Sequence, residues 1–377
     1  MKAFLVHIIL FCCFGSITFG QNTTGKSLEE WDSIAFAAFE QNDNDAMTIA
    51  LKFKEASLKE PASMYRVNAF TILGILNKDK GYYISSINNY LKALNAAKAI
   101  KDDGRVSACY NNIGRIYYLK QNYPRSKEYY FKSLEIEEKL NNDLQKSIRY
   151  YNLGEAFLAQ DSFDIALSYF NNSLRIEQKK KSDEGIMYAL NGISEVYIEI
   201  GRLTDAMISL ESLEKYNLSA FPKIEVPYFK NRARLSLKKA KYLEALAHLN
   251  KASELSEKYE LRIYSEDIYK YQIEVYRGLK QWENVADTYA KYIALLEALN
   301  NRKVKNQLED LTYQNEINQR DLELKLISEQ RDLAQQQTIK ERQIASYENK
   351  IVWFLILSLF VLVLLILVGI RKITKQA

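Results

Sequence analysis

The stretch Tyr110–Leu134, YNNIGRIYYLKQNYPRSKEYYFKSL, decides the fold because its pattern returns forty residues later as Tyr150–Leu174, YYNLGEAFLAQDSFDIALSYFNNSL. In each, a small residue follows Ile or Leu (Gly114, Gly154), with an aromatic three on (Tyr117, Phe157) and another nine on (Tyr123, Phe163). A second small residue comes twelve on (Ser126, Ala166) and a further aromatic sixteen on (Tyr130, Phe170). Outward in one direction lies Ile72-Leu73-Gly74 with Gly81, Tyr83, Ser86 and Tyr90, and before it a faint copy at Ile34, Ala46 and Ala50. In the other lie Ile193-Ser194 with Tyr197, Gly201, Leu203, Ala206 and Leu210, then Ala233 with Tyr242, Ala245 and Leu249, then Ile273 with Tyr276, Trp282, Val285 and Tyr289. The equivalent sites 34, 74, 114, 154, 194, 233 and 273 are spaced by 40, 40, 40, 40, 39 and 40 residues. A register kept over so many steps marks an internal repeat.

Each unit reads as two antiparallel helices, because apolar residues recur at i, i+3, i+4 and i+7 in both halves. The small residues let the paired helices approach closely, and the aromatics fill the gap between successive pairs. One such hairpin cannot bury its apolar face alone, so the units must stack into a solenoid. Polar clusters recur in phase as turns: Lys101-Asp102-Asp103-Gly104, Asn141-Asn142-Asp143 and Lys181-Ser182-Asp183-Glu184-Gly185. The expected fold is all-α, with about seven units of forty residues spanning 21–297.

Composition excludes several alternatives. The 377 residues include 13 Gly and 4 Pro, under half the usual share of about 12%, too few for the frequent turns of a sandwich or barrel. There is no GxGxxG and no GxxxxGK[ST] phosphate loop. The net charge is +5, but Lys2, Arg371, Lys372 and Lys375 supply most of it. The central chain is nearly neutral, so no basic field points to a nucleic-acid partner. Cys12 and Cys13 lie in an N-terminal apolar stretch, leaving Cys109 alone, and His248 is the one histidine beyond that stretch. This inventory supports neither a disulfide, a metal site nor a nucleophile–base pair. No catalytic residue and no cofactor is expected.

Both ends point to a membrane. Lys2, the apolar run Ala3–Phe14 and the small residues up to Gly20 read as a signal peptide over 1–20. Residues 351–370, IVWFLILSLFVLVLLILVGI, carry no charge and are bracketed by Lys350 and Arg371, with Trp353 near one edge. Twenty helical residues span roughly 30 Å, the hydrocarbon thickness of a bilayer, so this segment is expected to be one transmembrane helix in contact with lipid. Residues 371–377 would remain cytoplasmic, in keeping with their positive charge, and residues 21–350 would be exported. Residues 298–350 have no Gly or Pro, nine Lys/Arg, nine Asp/Glu and eight Gln. They favour one long helix. Its apolar seams (Tyr313, Ile317, Leu324, Ile327, and Leu308, Leu311, Leu322) are interrupted by Asn315, Asn318 and Arg320. A homodimeric coiled-coil stalk is the preferred reading; a single charged helix, or one packed back on the last repeat, stays open.

The spacing of small and aromatic sites resembles the tetratricopeptide (TPR) repeat. That resemblance implies a TPR-type helical-hairpin solenoid whose concave groove is lined by the first helix of each unit. The groove positions lie three residues before and one after each small site. In this chain they are Asn111 and Arg115, Tyr151 and Glu155, Asn191 and Glu195, Lys230 and Arg234, and Lys270 and Glu274. The implied ligand is a peptide or protein. No unit pairs a Lys three before with an Asn one after, so the family's clamp for terminal carboxylates is not implied. The order signal peptide, solenoid, coiled coil and membrane helix resembles the periplasmic sensor half of Bacteroidetes TPR histidine kinases and regulators, without their output domain. This implies a single-pass protein of the bacterial cytoplasmic (inner) membrane, with its bulk in the periplasm and a membrane signalling partner. A structural assembly factor of an envelope complex, and a truncated sensor, are the alternatives.

Overall fold

The computed structural model describes the backbone of residues 26–41 and 43–373, and the side chains of these apart from 262, 313–325, 345, 348, 355 and 360–373. The expected signal peptide, residues 1–20, lies outside the described residues. Among the described residues there are α-helices and two short 3₁₀ turns, and no strand.

The helices pair in chain order. They are α1 (Leu28–Glu40) with α2 (Ala46–Leu58), α3 (Met64–Asp79) with α4 (Tyr83–Ala99), α5 (Asp103–Leu119) with α6 (Tyr123–Lys139), and α7 (Asp143–Leu158) with α8 (Phe163–Lys180). Then come α9 (Asp183–Glu199) with α10 (Leu203–Leu213), α11 (Pro222–Lys238) with α12 (Tyr242–Lys258), and α13 (Ser265–Gly278) with α14 (Trp282–Ile373). These are the seven hairpins that the forty-residue period predicts. The one short interval, from 194 to 233, has a local cause: α10 has only 11 residues, and a 3₁₀ turn, Leu218–Ala220, leads to Pro222 at the start of α11.

Within a hairpin the two small sites serve one contact. A Cβ on Gly114 would lie 2.7 Å from the Tyr130 ring, and one on Gly154 the same distance from Phe170. Both are far inside van der Waals contact, so only glycine lets these rings seat. The serine twelve residues on then closes the pair: Ser126 Oγ donates to the Gly114 carbonyl at 2.9 Å, and Ser86 Oγ to that of Gly74 at 2.7 Å. Tyr90, Tyr130, Phe170, Leu210 and Leu249, the last members of the motif, are all fully buried.

The turns repeat every twenty residues. Gly81, Lys101, Gln121, Asn141, Asp161, Lys181, Gly201, Ala240, Glu260 and Lys280 all have φ between 50° and 80°. Each stops a helix with one left-handed residue, and the next N–H reaches back to a carbonyl five residues earlier, as in Asn122 N to Tyr117 O at 2.9 Å. Glycine is the favoured residue there, yet this chain places it at only Gly81 and Gly201.

The last helix begins at Trp282, well before the expected stalk, and its backbone runs unbroken to Ile373. The chain divides into two compact units, one ending at Leu311 and one beginning at Thr312. Among the described residues no helix is long and apolar enough to cross a membrane. The expected span 351–370 falls largely outside them, since side chains at 355 and 360–370 are not described.

Candidate interaction groove

The repeat places residues about forty apart side by side on consecutive first helices. Arg115 Nη1 on α5 meets Glu155 Oε2 on α7 at 2.9 Å, and Asn152 Nδ2 donates to Asn111 Oδ1 at 2.8 Å. Further along, Asn231 Nδ2 on α11 donates to Asn191 Oδ1 on α9 at 3.1 Å. Arg234 Nη1 pairs with Glu195 Oε1 at 3.0 Å, and its Nη2 with Glu199. Lys230 Nζ bridges Glu195 (3.6 Å) and Asp267 of α13 (3.1 Å). The predicted strip is therefore not a row of separate charges. Most of it is a ladder of cross-repeat polar pairs that ties the first helices together.

The positions differ in exposure. Asn191, Lys230 and Arg234 are buried, whereas Asn111, Arg115, Tyr151, Glu155 and Glu195 are half-buried. Lys270 and Glu274 are exposed, and Lys270 pairs with Glu266 in its own helix at 2.7 Å. Eight of the ten predicted residues thus lie in or beside these cross-helix pairs, and the last two lie exposed on α13.

The wall is richer in tyrosine than the strip alone suggests. Tyr151 packs edge-on against Tyr188 at 5.6 Å and against Phe170 at 5.5 Å. The Arg115 guanidinium lies over Tyr118 at 5.1 Å, and that of Arg234 over Tyr271 at 5.6 Å. Burial pushes the Tyr264 hydroxyl up to about 12; the nearby Lys230 and Arg115 oppose this, and Glu155 and Glu195 add to it. The Tyr264 hydroxyl, just before α13, donates to the Lys223 carbonyl of α11 at 3.4 Å. Burial raises Tyr151 well above its ordinary value, helped by Glu155, Tyr188 and Tyr264. Burial alone would raise the Glu195 carboxyl, but Lys230 and Arg234 hold it below the usual carboxylate range.

Tyr118, Tyr188, Tyr264 and Tyr271 were not singled out by sequence. A signal existed for two of them: Tyr118 is three residues after Arg115 and Tyr188 three before Asn191, one helical turn along the same face. Tyr264 carried none, because it lies in the 3₁₀ turn that precedes α13, outside the helical phase.

Other reactive groups have structural roles. Burial pushes the Cys109 thiol up to about 12, which makes it a poor nucleophile. His248 is half-buried beside the Phe229 ring, 6.1 Å away, and burial lowers its pKa. Among the described residues no cluster of His, Cys, Asp and Glu could hold a metal ion.

No family model matches the chain, and no curated protein matches it. Solved structures do. The apo form of RapI is 15% identical, with 74% of this chain and 98% of that one covered and a TM-score of 0.60. A Rap protein complexed with Competence and Sporulation Factor is 16% identical, covering 73% and 76%, with a TM-score of 0.58. A tetratricopeptide repeat protein from Parabacteroides merdae ATCC 43184 is 16% identical, covering 75% and 100%, with a TM-score of 0.52. At such identities the likeness is one of architecture, and it is consistent across the three: the chain has the fold of a TPR-like helical-hairpin solenoid.

Proposed function

We propose that this protein is an interaction module that holds a peptide, or an extended segment of a protein, against the inner wall of its solenoid. The observation that carries the reading is the wall itself. Tyr118, Tyr151, Tyr188 and Tyr271 flank a pre-paired polar ladder of Arg115–Glu155 and Glu195–Lys230–Arg234. Tyrosine offers large contact area at low entropic cost together with a hydrogen-bonding tip, which suits adaptable recognition of a chain. The paired charges are already ordered, so a ligand meets a preorganised surface. The similar Rap structure, described as complexed with Competence and Sporulation Factor, supports ligand binding on this fold.

We further read the module as anchored by one membrane span over 351–370, with residues 1–20 as its export signal and the bulk in the periplasm. Supporting this are the uncharged twenty-residue run and the exposure of Ile351, Val352, Trp353, Phe354, Ile356, Leu357 and Leu359. Apolar side chains held exposed on a helix call for a non-aqueous cover. Of the expected stalk, 298–350, the part beyond Leu311 would then dimerise, and a signalling protein in the same membrane would be the partner.

The groove is tested by selecting a displayed library of random decapeptides against the full-length chain in lipid nanodiscs. Selected peptides should lose at least about tenfold in affinity to Tyr151→Ala and Tyr188→Ala, since a buried aromatic anchor is worth about 2 kcal/mol or more. They should bind Leu243→Ala, altered at an exposed site on α12, as they bind wild type. Peptides indifferent to both wall substitutions would sink the reading.

A further inference from the structure

The second helix of a hairpin is not always capped from within its own turn. In the third hairpin, Asn122 caps its own helix, its Oδ1 accepting from Arg125 N at 3.2 Å. The equivalent residue before α4 is Tyr82, which supplies no side-chain cap. The cap comes instead from more than two hundred residues away. Asp310 of α14 accepts from Ile84 N at 2.7 Å and from Ser85 N at 3.0 Å, and the Ser85 hydroxyl donates to the same carboxylate. One turn of helix earlier, the acidic face continues: Tyr82 OH donates to Glu309, and Asn306 lies over Gly81. Gly81 is left-handed (φ 80°), and a Cβ there would collide with the Asn306 amide. Asp310 is 2% exposed, in a stretch where nearly all other side chains face solvent. A carboxylate at a helix N-terminus is favoured both by the free N–H groups and by the helix dipole.

The contact has a distant counterpart. At its start α14 is held to the last hairpin by buried Val285 and Thr288 and by Arg277 Nη2 donating to Tyr289 OH at 2.7 Å. From 296 to 305 every residue is exposed. Two footholds thus lie about 38 Å apart along one helix, with bare helix between them. The contacts named at the second foothold are polar, and polar contacts exchange with water at small net cost. The hairpins between the footholds are the ones whose first helices carry the paired ladder.

We propose that the Gly81–Ser85 turn is a docking site for the acidic face Asn306–Asp310 of α14, and that this contact is a releasable latch between the second and the last hairpins, coupled to the spacing of the hairpins it spans. A latch of this kind responds to anything that widens or tightens the inner wall. That it would report peptide binding rests on the function proposed above; the latch itself does not.

Hydrogen–deuterium exchange on the full-length chain in detergent tests both parts without a ligand. Asp310→Ala should speed exchange of the Ile84 and Ser85 amides about tenfold, and raise exchange over 296–311. Asp332→Ala, an exposed acid elsewhere on α14, should leave both at wild-type rates. Unchanged protection of residues 84 and 85 in Asp310→Ala would overturn the latch. Coupling is read from Arg234→Ala, which breaks the ladder between α9 and α11. Exchange at 84 and 85, taken relative to α7 (143–158), should rise severalfold. An equal rise in both segments, or none at 84 and 85, would overturn the coupling. Failure of either outcome leaves the peptide-binding selection to stand or fall by itself.

Discussion

Gly154 and Gly201 lie in adjacent repeats, and substitution at each should fail for a different reason. A Cβ on Gly154 meets the Phe170 ring at 2.7 Å, whereas one on Gly201 meets nothing within 4 Å but sits at φ 76°. Gly154→Ala should cost about 1–3 kcal/mol by overpacking, and Gly201→Ala about 1 kcal/mol through backbone strain. The turn after α11 gives the converse. Ala240 has φ 55°, so Ala240→Gly should stabilise by about 0.5–1 kcal/mol once the lost chain stiffness is subtracted. Urea midpoints of the three variants check the signs; a destabilised Ala240→Gly would show that the strain at this turn is negligible. From sequence, Gly114 and Gly154 were legible as contact glycines, because each follows an apolar residue at a fixed phase. The left-handed turns at Lys101 or Lys280 were not, since lysine carries no signal for that conformation.

At the scale of elements, Glu195 joins three helices: α9, which carries it, α11 through Lys230 and Arg234, and α13 through Lys230 and Asp267. Burial works against its charge, but the two cations hold its pKa below the ordinary 4.5. A carboxyl lowered by folding contributes its full stability above the unfolded value and loses it as pH falls through the folded one. Stability should therefore drop below about pH 4.5, and Glu195→Gln should flatten that part of the profile while lowering the midpoint near neutrality. Equal acid slopes in wild type and variant would remove Glu195 from the linkage. The forty-residue spacing made this pairing foreseeable in outline, since it sets position 195 opposite 234. It did not reveal that Lys230 would be shared between Glu195 and Asp267, which depends on how α13 leans against α11. Trp282, Val285 and Tyr289 marked the second helix of the last unit, but nothing in composition separates that helix from the charged run that continues it, and the backbone joins the two without a break.

At the scale of the whole molecule, the proposed anchor is testable apart from the groove. Deleting residues 351–377 should move the protein from the membrane pellet to the soluble fraction after an alkaline wash, because twenty apolar residues are what hold it against extraction. Retention of the shortened chain in the pellet would assign anchoring elsewhere. By itself the sequence determined the helical class and the stacking of forty-residue helical hairpins. Periodicity, small-residue spacing and apolar stripes are local properties, and local sterics are enough to express them. The tertiary structure alone decided the rest: that wall charges are spent on one another, that Lys230 is shared between Glu195 and Asp267, and that Asp310 caps a helix more than two hundred residues earlier. The reason is that the period sets residues about forty apart side by side, whereas contacts between residues further apart in sequence depend on how whole helices pack, which no local pattern encodes.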